Sequence, residues 1–257
     1  MSSLDGRVAI VTGAARGLGA AIAAELCARG AAVLLTDVLN EQGAETAKTL
    51  AEAGHKAVFL HHDVRDVGQW QAVVDAAASQ FGDVGILVNN AGITLPASFE
   101  EASLDDFQHV LDINLLGPFL GMKAVLPSMK RTGNGSIVNI SSNSTQMIIG
   151  LASLYSASKA ALANLTKTAA VHCAEQNYGI RVNSVHPGPQ ATPMLLGEGG
   201  SHADADLPAV RAVINAVPLK RMGLPSEIGK VVAFLASDDA SYMTGAEIFV
   251  DGGLTMV

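Results

Sequence analysis

The sequence predicts an α/β fold in which helices cover both faces of a doubly wound sheet of about seven parallel strands. Short apolar runs of strand length alternate with longer helical patterns along the whole chain. The composition is 49% hydrophobic but only 4% aromatic, which suits buried parallel strands packed against Ala-rich helices better than an all-β sandwich. Strands that alternate with helices form parallel units with right-handed crossovers, and repeating that unit builds this architecture.

The strands are assigned in chain order from the apolar runs and from the turn residues that close them. They cover residues 8–11, 32–35, 57–60, 85–89, 136–141, 180–185 and 246–250. Helical patterns fill the intervals, for example over residues 104–129, 156–176 and 226–237, and one follows the first strand as far as Arg29. This order predicts a Rossmann-like sheet.

The chain has 257 residues, and we interpret residues 1–257 as one domain. No internal repeat, low-complexity tract or linker divides it. The one irregular region, about 186–210, is rich in Gly, Pro and polar residues and is interpreted as a substrate loop or lid. A passive surface loop is the alternative.

Charge and composition exclude several classes of function. The formal net charge of -8 disfavours a nucleic-acid partner, because a phosphate backbone requires a cationic surface. We find no apolar stretch of the length needed to span a bilayer, and the first residues do not resemble a signal peptide. Cys27 and Cys173 are interpreted as reduced packing residues, and no metal site is expected. We therefore expect a cytoplasmic protein with no membrane partner.

The first strand runs into a glycine-rich turn, Thr12-Gly13-Ala14-Ala15-Arg16-Gly17-Leu18-Gly19, and an Ala-rich helix follows at once. Side chains at the glycines would block the turn and the approach of a pyrophosphate, which the free N–H groups of a helix N-terminus bind. The alternative is that three glycines at this spacing only allow a tight turn between strand and helix and bind no cofactor. The position after the first strand favours a dinucleotide site. The residues assigned to it here are Gly13, Arg16, Gly17, Leu18 and Gly19.

An acidic residue, Asp37, closes the second apolar run. A carboxylate at this place accepts hydrogen bonds from the ribose hydroxyls of adenosine and repels a 2′-phosphate. The next residue, Val38, is not basic, and only Arg16 nearby could attract a phosphate. An ordinary strand-end or helix-capping role is the alternative for Asp37. The pattern favours NAD over NADP.

Two further turns lie at the same predicted sheet edge. Asp63 and Val64 follow the third strand, where they could bind the adenine amino group or cap a helix. Asn90, Ala91 and Gly92 follow the fourth strand, and Gly92 leaves room for a cofactor against the main chain. We assign all five to the cofactor site, although the Asn pair at 89–90 could serve only the turn.

Tyr155 and Lys159 are four residues apart at the start of a predicted helix, so their side chains share one face. A free tyrosine is a poor acid or base at neutral pH, but a nearby ammonium lowers its pKa. Ser142 ends the fifth strand, where its hydroxyl could donate to a carbonyl oxygen. A Tyr-x-x-x-Lys pair alone is frequent by chance. Here the pair and Ser142 follow a glycine turn and a strand-end Asp in the sequence. Together these residues favour proton transfer beside a bound dinucleotide.

At this point the sequence resembles the short-chain dehydrogenase/reductase family, in its short, single-domain branch. The resemblance runs in family order over almost the whole chain. It is carried by Thr12, Gly13, Gly17, Gly19, Asp63, residues 89–92, Asn114, Ser142, Tyr155, Lys159, Pro187, Gly188, Gly245 and the closing Asp251-Gly252-Gly253.

The resemblance implies roles for these residues. Tyr155 exchanges a proton with the substrate oxygen, and Ser142 polarises the carbonyl. Lys159 binds the nicotinamide ribose and lowers the tyrosine pKa, while Asn114 holds a water molecule in a proton relay. Asp37 matches the acidic position that selects NAD. Family members are usually homotetramers that associate through the helices around residues 104–130 and 154–176, so a homotetramer is expected.

One segment departs from the family pattern. Pro187, Gly188 and Thr192 match residues that lie beside the nicotinamide, and the residue two positions after the glycine is usually aliphatic. Here that residue is Gln190, which can both donate and accept hydrogen bonds. We assign Gln190 to the cofactor and substrate sites. The alternatives are a side chain in solvent or a disturbed nicotinamide position.

The combined prediction is an NAD(H)-dependent oxidoreductase that interconverts a secondary alcohol and a cyclic, steroid-like or aryl ketone. The expected substrate residues are Thr94, Ser144, Leu151, Gln190 and Met194, with Ile93, Asn143 and Met147 beside them. One alternative is an NADPH-dependent 3-ketoacyl-thioester reductase, which Asp37 and Val38 disfavour. Another is a dinucleotide-binding scaffold that performs no chemistry.

Overall fold

The computed structural model describes residues 3–196 and 208–257, and within them seven strands form one parallel sheet. The strands are β1 (Val8–Thr12), β2 (Ala32–Asp37), β3 (Ala57–His61), β4 (Ile86–Asn89), β5 (Gly135–Ile140), β6 (Ile180–Pro187) and β7 (Glu247–Val250). Their order across the sheet is β3-β2-β1-β4-β5-β6-β7. The predicted fold class is therefore confirmed.

Helices on both faces bury these strands. They are α1 (Gly17–Ala28), α2 (Asn40–Glu52), α3 (Val67–Phe81), α4 (Leu104–Leu111), α5 (Gly117–Thr132), α6 (Ser153–Glu175), α7 (Pro193–Leu196), α8 (Pro208–Ala216) and α9 (Pro225–Ala236). One core layer contains Ile22 of α1 and Val232 of α9, and the opposite layer contains Trp70 of α3 and Met129 of α5. Burial on both faces explains why the central strands are continuous apolar runs.

The chain reverses its direction across the sheet between β1 and β4. It runs outward from β1 through β2 to β3, then returns to place β4 on the other side of β1. At this reversal the two connections that leave the strand ends diverge, and a crevice opens between them. The glycine turn after Thr12 and the turn after Asn89 form the walls of this crevice.

Two helices differ from their predicted bounds. The helix predicted over 104–129 is α4 and α5 joined by a π-helical turn, Asp112–Leu116. A π-turn inserts one extra residue per hydrogen-bonded ring, and the hydrophobic pattern does not reveal it. Helix α6 begins at Ser153, which places Tyr155 in its first turn.

The predicted substrate loop, about 186–210, contains regular structure. His186 and Pro187 belong to β6, residues 193–196 form α7, and α8 begins at Pro208. The part of the prediction that concerns residues 197–207 lies outside the described residues.

One described helical run, Leu104–Thr132, has the length and apolar composition of a membrane span. Helix α5 places Met122, Val125 and Met129 in the core beneath the sheet. A core helix of an α/β sandwich meets the same criterion, so this run does not by itself indicate a membrane protein.

Candidate active site

The glycine turn after β1 needs glycine for conformation and for space. Gly13 and Gly17 have φ angles of 63° and 60°, in the left-handed region that glycine adopts without strain. A Cβ atom on Gly19 would lie 2.6 Å from Nδ2 of Asn90 and 2.8 Å from Cα of Ala14. Because α1 begins at Gly17, its unpaired N–H groups open onto this turn.

The turn after β4 is bonded to the glycine turn. The hydroxyl of Thr12 accepts from the backbone N–H groups of Asn90 at 3.1 Å and Ala91 at 3.0 Å. The side-chain amide of Asn90 donates to the carbonyls of Thr12 at 2.9 Å and Gly13 at 3.0 Å. The two predicted cofactor segments are thus brought together, and the Asn90 side chain is occupied by the turn.

Asp37 ends β2 beside the glycine turn. Its Oδ2 accepts from the N–H of Ala15 at 3.0 Å, and its Oδ1 accepts from the N–H of Leu39 at 3.1 Å. Each carboxylate oxygen can accept a further hydrogen bond. The neighbouring Arg16 is the N-cap residue of α1, with an extended backbone, and Leu18 is half-buried in that helix.

Asp63, after β3, already has a cationic partner. Arg65 donates to it from both its side chain, at 2.6 Å, and its backbone N–H, at 3.0 Å. These hydrogen bonds lower the pKa of Asp63, so the carboxylate is ionised. Val64 is buried against α5. The adenine-binding roles of both residues remain predictions, and sequence analysis missed the Arg65 pair.

The predicted catalytic side chains meet at the carboxyl end of β5. The hydroxyl of Ser142 lies close enough to the phenol of Tyr155 to lower the pKa of that phenol. Lys159, one helical turn after Tyr155, is buried, with Nζ 5.7 Å from the centroid of the tyrosine ring. Its ammonium donates to the carbonyl of Ile140 at 2.8 Å. The fold therefore assembles a phenol, a hydroxyl and an ammonium at one edge of the sheet.

The titration of these groups differs in part from expectation. Burial raises the pKa of Tyr155 above its usual value, and the hydrogen bond with Ser142 opposes this rise only partly. Burial also lowers the pKa of Lys159 to about 8. Lys159 was expected to lower the pKa of Tyr155, but in the protein alone the pKa of Tyr155 is raised. Burial is the larger effect on the phenol, and the ammonium is hydrogen-bonded to a carbonyl.

Asn114 lies in the π-turn and is fully buried. Its Oδ1 accepts from the N–H of Ile93 at 2.9 Å, and its Nδ2 donates to the carbonyl of the same residue at 2.9 Å. Nδ2 also lies 3.0 Å from the hydroxyl of Ser158. A Cβ atom on Gly92 would be 3.2 Å from Asn114 Oδ1 and 3.3 Å from Lys159 Nζ. The π-turn thus brings Asn114 beside Lys159.

Pro187 and Gly188 continue from the end of β6. A Cβ atom on Gly188 would come within 2.6 Å of Cα of Asp251, so glycine is needed where this segment passes the C-terminal turn. Thr192 is buried, and it lies with Pro193 next to Gly17 of the glycine turn. The start of the predicted substrate loop therefore closes one side of the crevice.

The predicted substrate residues lie in loops that follow β4, β5 and β6. Parallel strands end at one edge of the sheet, so these loops surround the catalytic side chains. Ser144 is buried, and its hydroxyl has no partner among the described residues. Leu151 is 61% exposed and Met194 is 55% exposed. Ile93, Thr94, Asn143 and Met147 are half-buried.

The chain is similar to known proteins over almost its whole length. A family described as enoyl-(acyl carrier protein) reductase matches residues 13–255. The 3-alpha-(or 20-beta)-hydroxysteroid dehydrogenase of Mycobacterium tuberculosis is 43% identical, over 97% of this chain and 90% of that protein. The cis-4-hydroxycyclohexanecarboxylate dehydrogenase of Sinomonas cyclohexanicum is 44% identical, over 98% of this chain and 97% of that protein. The crystal structure of a dehydrogenase/reductase from Sinorhizobium meliloti superposes with a TM-score of 0.90 at 37% identity, covering 98% of this chain and 96% of that one.

The chain belongs to the short-chain dehydrogenase/reductase family. The predicted family is thereby confirmed. Short-chain dehydrogenases/reductases are oxidoreductases that use a nicotinamide dinucleotide, and this general function follows from membership.

The residues present fit such a cofactor. A Cβ atom on Gly13 would lie 2.8 Å from Cα of Ala91, and Gly19 and Gly92 are similarly confined. Glycine at these three positions lets the turns after β1 and β4 pack closely and leaves a cradle of bare backbone, because side chains there would overlap or crowd neighbouring protein atoms. The cradle extends from the N-terminus of α1 toward Lys159, and Asp37 borders its other end. A pyrophosphate requires this close approach to the main chain.

Gln190, the departure from the family pattern, is only 6% exposed. Its carboxamide packs against Gly223, and its Nε2 lies 3.5 Å from the carbonyl of Val250. Its Oε1 has no partner among the described residues. These contacts are with protein, so the cofactor and substrate roles assigned to Gln190 remain predictions.

Sequence reasoning missed several supporting residues. Ser158 lies within hydrogen-bond distance of Asn114, and the hydroxyl of Ser141 donates to the carbonyl of Lys159 at 3.0 Å. Ser141 precedes Ser142 and Ser158 precedes Lys159. Adjacency to a motif residue predicts these contacts only weakly, because the partners, Asn114 for Ser158 and Lys159 for Ser141, are distant in sequence.

Proposed function

We propose that this protein is an NAD(H)-dependent oxidoreductase that interconverts a secondary alcohol and a ketone, with Tyr155 as its acid and base. The observation that carries the proposal is that Lys159 is buried one helical turn from Tyr155, while Ser142 lies close enough to the Tyr155 phenol to act on its pKa. This group lies at the sheet edge beside the glycine cradle. A proton donor, a hydrogen-bond donor and a cation at that place suit carbonyl reduction.

Each side chain has a defined task in this proposal. The bound nicotinamide ring supplies or accepts the hydride. In reduction, the Tyr155 hydroxyl gives its proton to the ketone oxygen while the Ser142 hydroxyl donates a hydrogen bond to the same oxygen. Lys159 carries the positive charge that stabilises the phenolate left behind. Asn114 keeps its predicted part in a proton relay. In alcohol oxidation the protons move in reverse.

The choice of NAD is supported by the end of β2. The carboxylate of Asp37 lies over the glycine turn and retains acceptor capacity toward ribose hydroxyls. A 2′-phosphate there would meet a negative charge. The adjacent Val38 is 53% exposed and has no charge with which to compensate it.

A ring ketone of apolar character is the substrate class we favour. Several exposed apolar side chains border the catalytic edge: Phe99, Ile148, Ile149, Leu151, Met194 and Leu195. Ala97 is hydrogen-bonded to Leu151, so the loops after β4 and β5 lie side by side. Burying such side chains against a rigid ring system is favourable. The similar proteins named for hydroxysteroids and hydroxycyclohexanecarboxylates are consistent with this class.

We further propose a cytoplasmic homotetramer. Phe107, Leu116 and Phe119 on the α4–α5 run are large apolar side chains that are each about two-fifths exposed. Contact with other copies of the chain would bury them. The prediction that residues 1–257 form one domain is kept as part of this proposal.

The proposal is tested with a panel of cyclic, steroid and aryl ketones, with turnover followed by NADH and NADPH absorbance. We expect turnover with NADH, and expect Tyr155→Phe to reduce kcat by about 10²–10⁴-fold with NADH affinity retained. Tyr242→Phe removes a hydroxyl from a fully exposed tyrosine and should behave as wild type.

Three outcomes would contradict the proposal. Faster turnover of 3-ketoacyl thioesters with NADPH would favour a thioester reductase. Tight NADH binding without oxidation by any ketone would favour a scaffold. Full activity in the Tyr155→Phe variant would remove Tyr155 from the mechanism.

A further inference from the structure

His186 is a fully buried histidine close to the catalytic serine, and none of the roles described above uses it. It lies in β6, immediately before Pro187. The neighbouring strand, β5, continues along β6 as far as Ser141, whose N–H donates to the carbonyl of Val185. The imidazole therefore lies next to the point where the chain leaves the sheet to present Ser142.

Both ring nitrogens of His186 have polar partners. Nδ1 is 2.9 Å from the carbonyl oxygen of Ser142, and Nε2 is 2.9 Å from the hydroxyl of Ser184. A carbonyl oxygen only accepts hydrogen bonds. Nδ1 is therefore the protonated ring nitrogen, and its N–H donates a hydrogen bond to the carbonyl of Ser142. Thr145 adds two further donors, because its hydroxyl donates to the same carbonyl at 3.0 Å and its backbone N–H donates at 3.3 Å.

The imidazole is held in this orientation from both sides. Its ring packs on Phe249 of β7 with 4.5 Å between centroids, and Ser184 holds the far nitrogen. Burial is the largest influence on the ring and lowers the pKa of His186. The ring is therefore neutral at pH 7, with Nε2 free to accept from Ser184.

We propose that His186 is a positioning residue that braces the main chain of Ser142 and so holds the serine hydroxyl against the Tyr155 phenol. Ser142 has an extended backbone and lies at the start of a short 3-10 turn, where strand pairing no longer fixes it. The donors from His186 and Thr145 replace that pairing. This inference rests on the proposed function, because it assigns His186 to the positioning of the same catalytic pair.

Three substitutions separate the brace from simple packing. Phe keeps a ring against Phe249 but has no donor, Asn places an amide nitrogen near the position of Nδ1, and Gln reaches only the position of Nε2. We expect His186→Phe and His186→Gln to lower kcat by about 10–100-fold, since small misplacement of a catalytic group costs that much. His186→Asn should recover kcat to within about threefold of wild type. NADH affinity and KM should change little in all three.

Crystal structures of the wild-type, Phe and Asn proteins provide a readout that does not depend on activity. We expect the Ser142 hydroxyl to move away from the Tyr155 phenol in the Phe variant and to stay in the Asn variant. Phe249→Leu, which loosens the ring contact but leaves the partners of both nitrogens, Ser142 and Ser184, in place, serves as the packing control and should lower kcat much less than His186→Phe does.

Equal loss of kcat in the Phe and Asn variants, or a Ser142 that stays in place in the Phe variant, overturns the brace. If the Phe variant does not fold, the contrast between Gln and Asn decides the question. A wild-type protein that reduces no ketone refutes the proposed function instead, while the crystallographic contrast still tests the brace.

Discussion

At the scale of single residues, the candidate catalytic group is characterised by burial as much as by proximity. Lys159 is only 3% exposed, and its one described hydrogen bond is to the carbonyl of Ile140. An ammonium without a carboxylate partner in such a place costs folding free energy. The cost is the reason that the pKa of Lys159 falls to about 8. A buried ammonium that destabilises the fold indicates a functional role for Lys159.

We predict that Lys159→Met abolishes turnover but stabilises the fold at pH 7, by about 1–3 kcal/mol. The folded pKa of about 8 lies below that of an unfolded lysine, so the unfolded state binds more protons between these two values. Wild-type stability therefore rises with pH in that window relative to the variant. Thermal unfolding at pH 7 and pH 9.5 should show the advantage of Met shrinking.

Lys56→Met is the matched control, because Lys56 is exposed. It should change neither turnover nor the relative stability at the two pH values. A Lys159→Met variant that is less stable at pH 7 would show that the hydrogen bond to Ile140 outweighs the cost of burial.

At the scale of elements, local sequence specified the glycine turn and the strands, and tertiary contacts specified the details of the helices. The hydrophobic pattern over 104–129 reads as one helix because apolar residues recur at helical spacing through the π-turn. The π-turn was not predicted because Asn114 is stabilised there by Ile93, which comes from a different segment. The pair of Asp63 and Arg65 is local in sequence, but it was not predicted because it depends on side-chain conformation.

The glycine turn allows a prediction at this scale. Gly19→Ala should weaken NADH binding at least about tenfold and destabilise the protein by about 1–3 kcal/mol, because the new Cβ overlaps Asn90 and Ala14. Fluorescence titration and thermal unfolding measure the two effects. Gly150→Ala adds the same methyl group in open space and should leave NADH affinity unchanged. An unaltered affinity in the Gly19 variant would contradict the cradle.

At the scale of the whole molecule, parallel topology brings the site together. The turns after β1, β2, β3 and β4 all open at one edge because every strand runs in the same direction. Glycines, acidic residues and the Tyr–Lys pair, separated by more than a hundred positions, therefore converge. This convergence could be inferred from the predicted parallel strands, which is why the sequence could predict that these residues lie at one edge of the sheet.

The exposed apolar residues of α4 and α5 allow a prediction about assembly. Light scattering should give a mass four times that of the 26.4 kDa chain. Phe119→Glu should produce smaller species, because a charge would be buried in the contact. Val67→Glu places the same charge at an exposed position on α3 and should leave the assembly intact. A monomeric wild type would contradict the homotetramer.

The sequence by itself determined the fold class and the family and proposed the residues of the candidate site, because periodicity, glycine positions and short motifs are local features of the chain. Only the tertiary structure decided the environment of each group. It raised the pKa of the Tyr155 phenol, turned Gln190 toward Gly223 and placed His186 against the carbonyl of Ser142. Burial and hydrogen bonding depend on neighbours that are distant in sequence, and no local pattern encodes those neighbours.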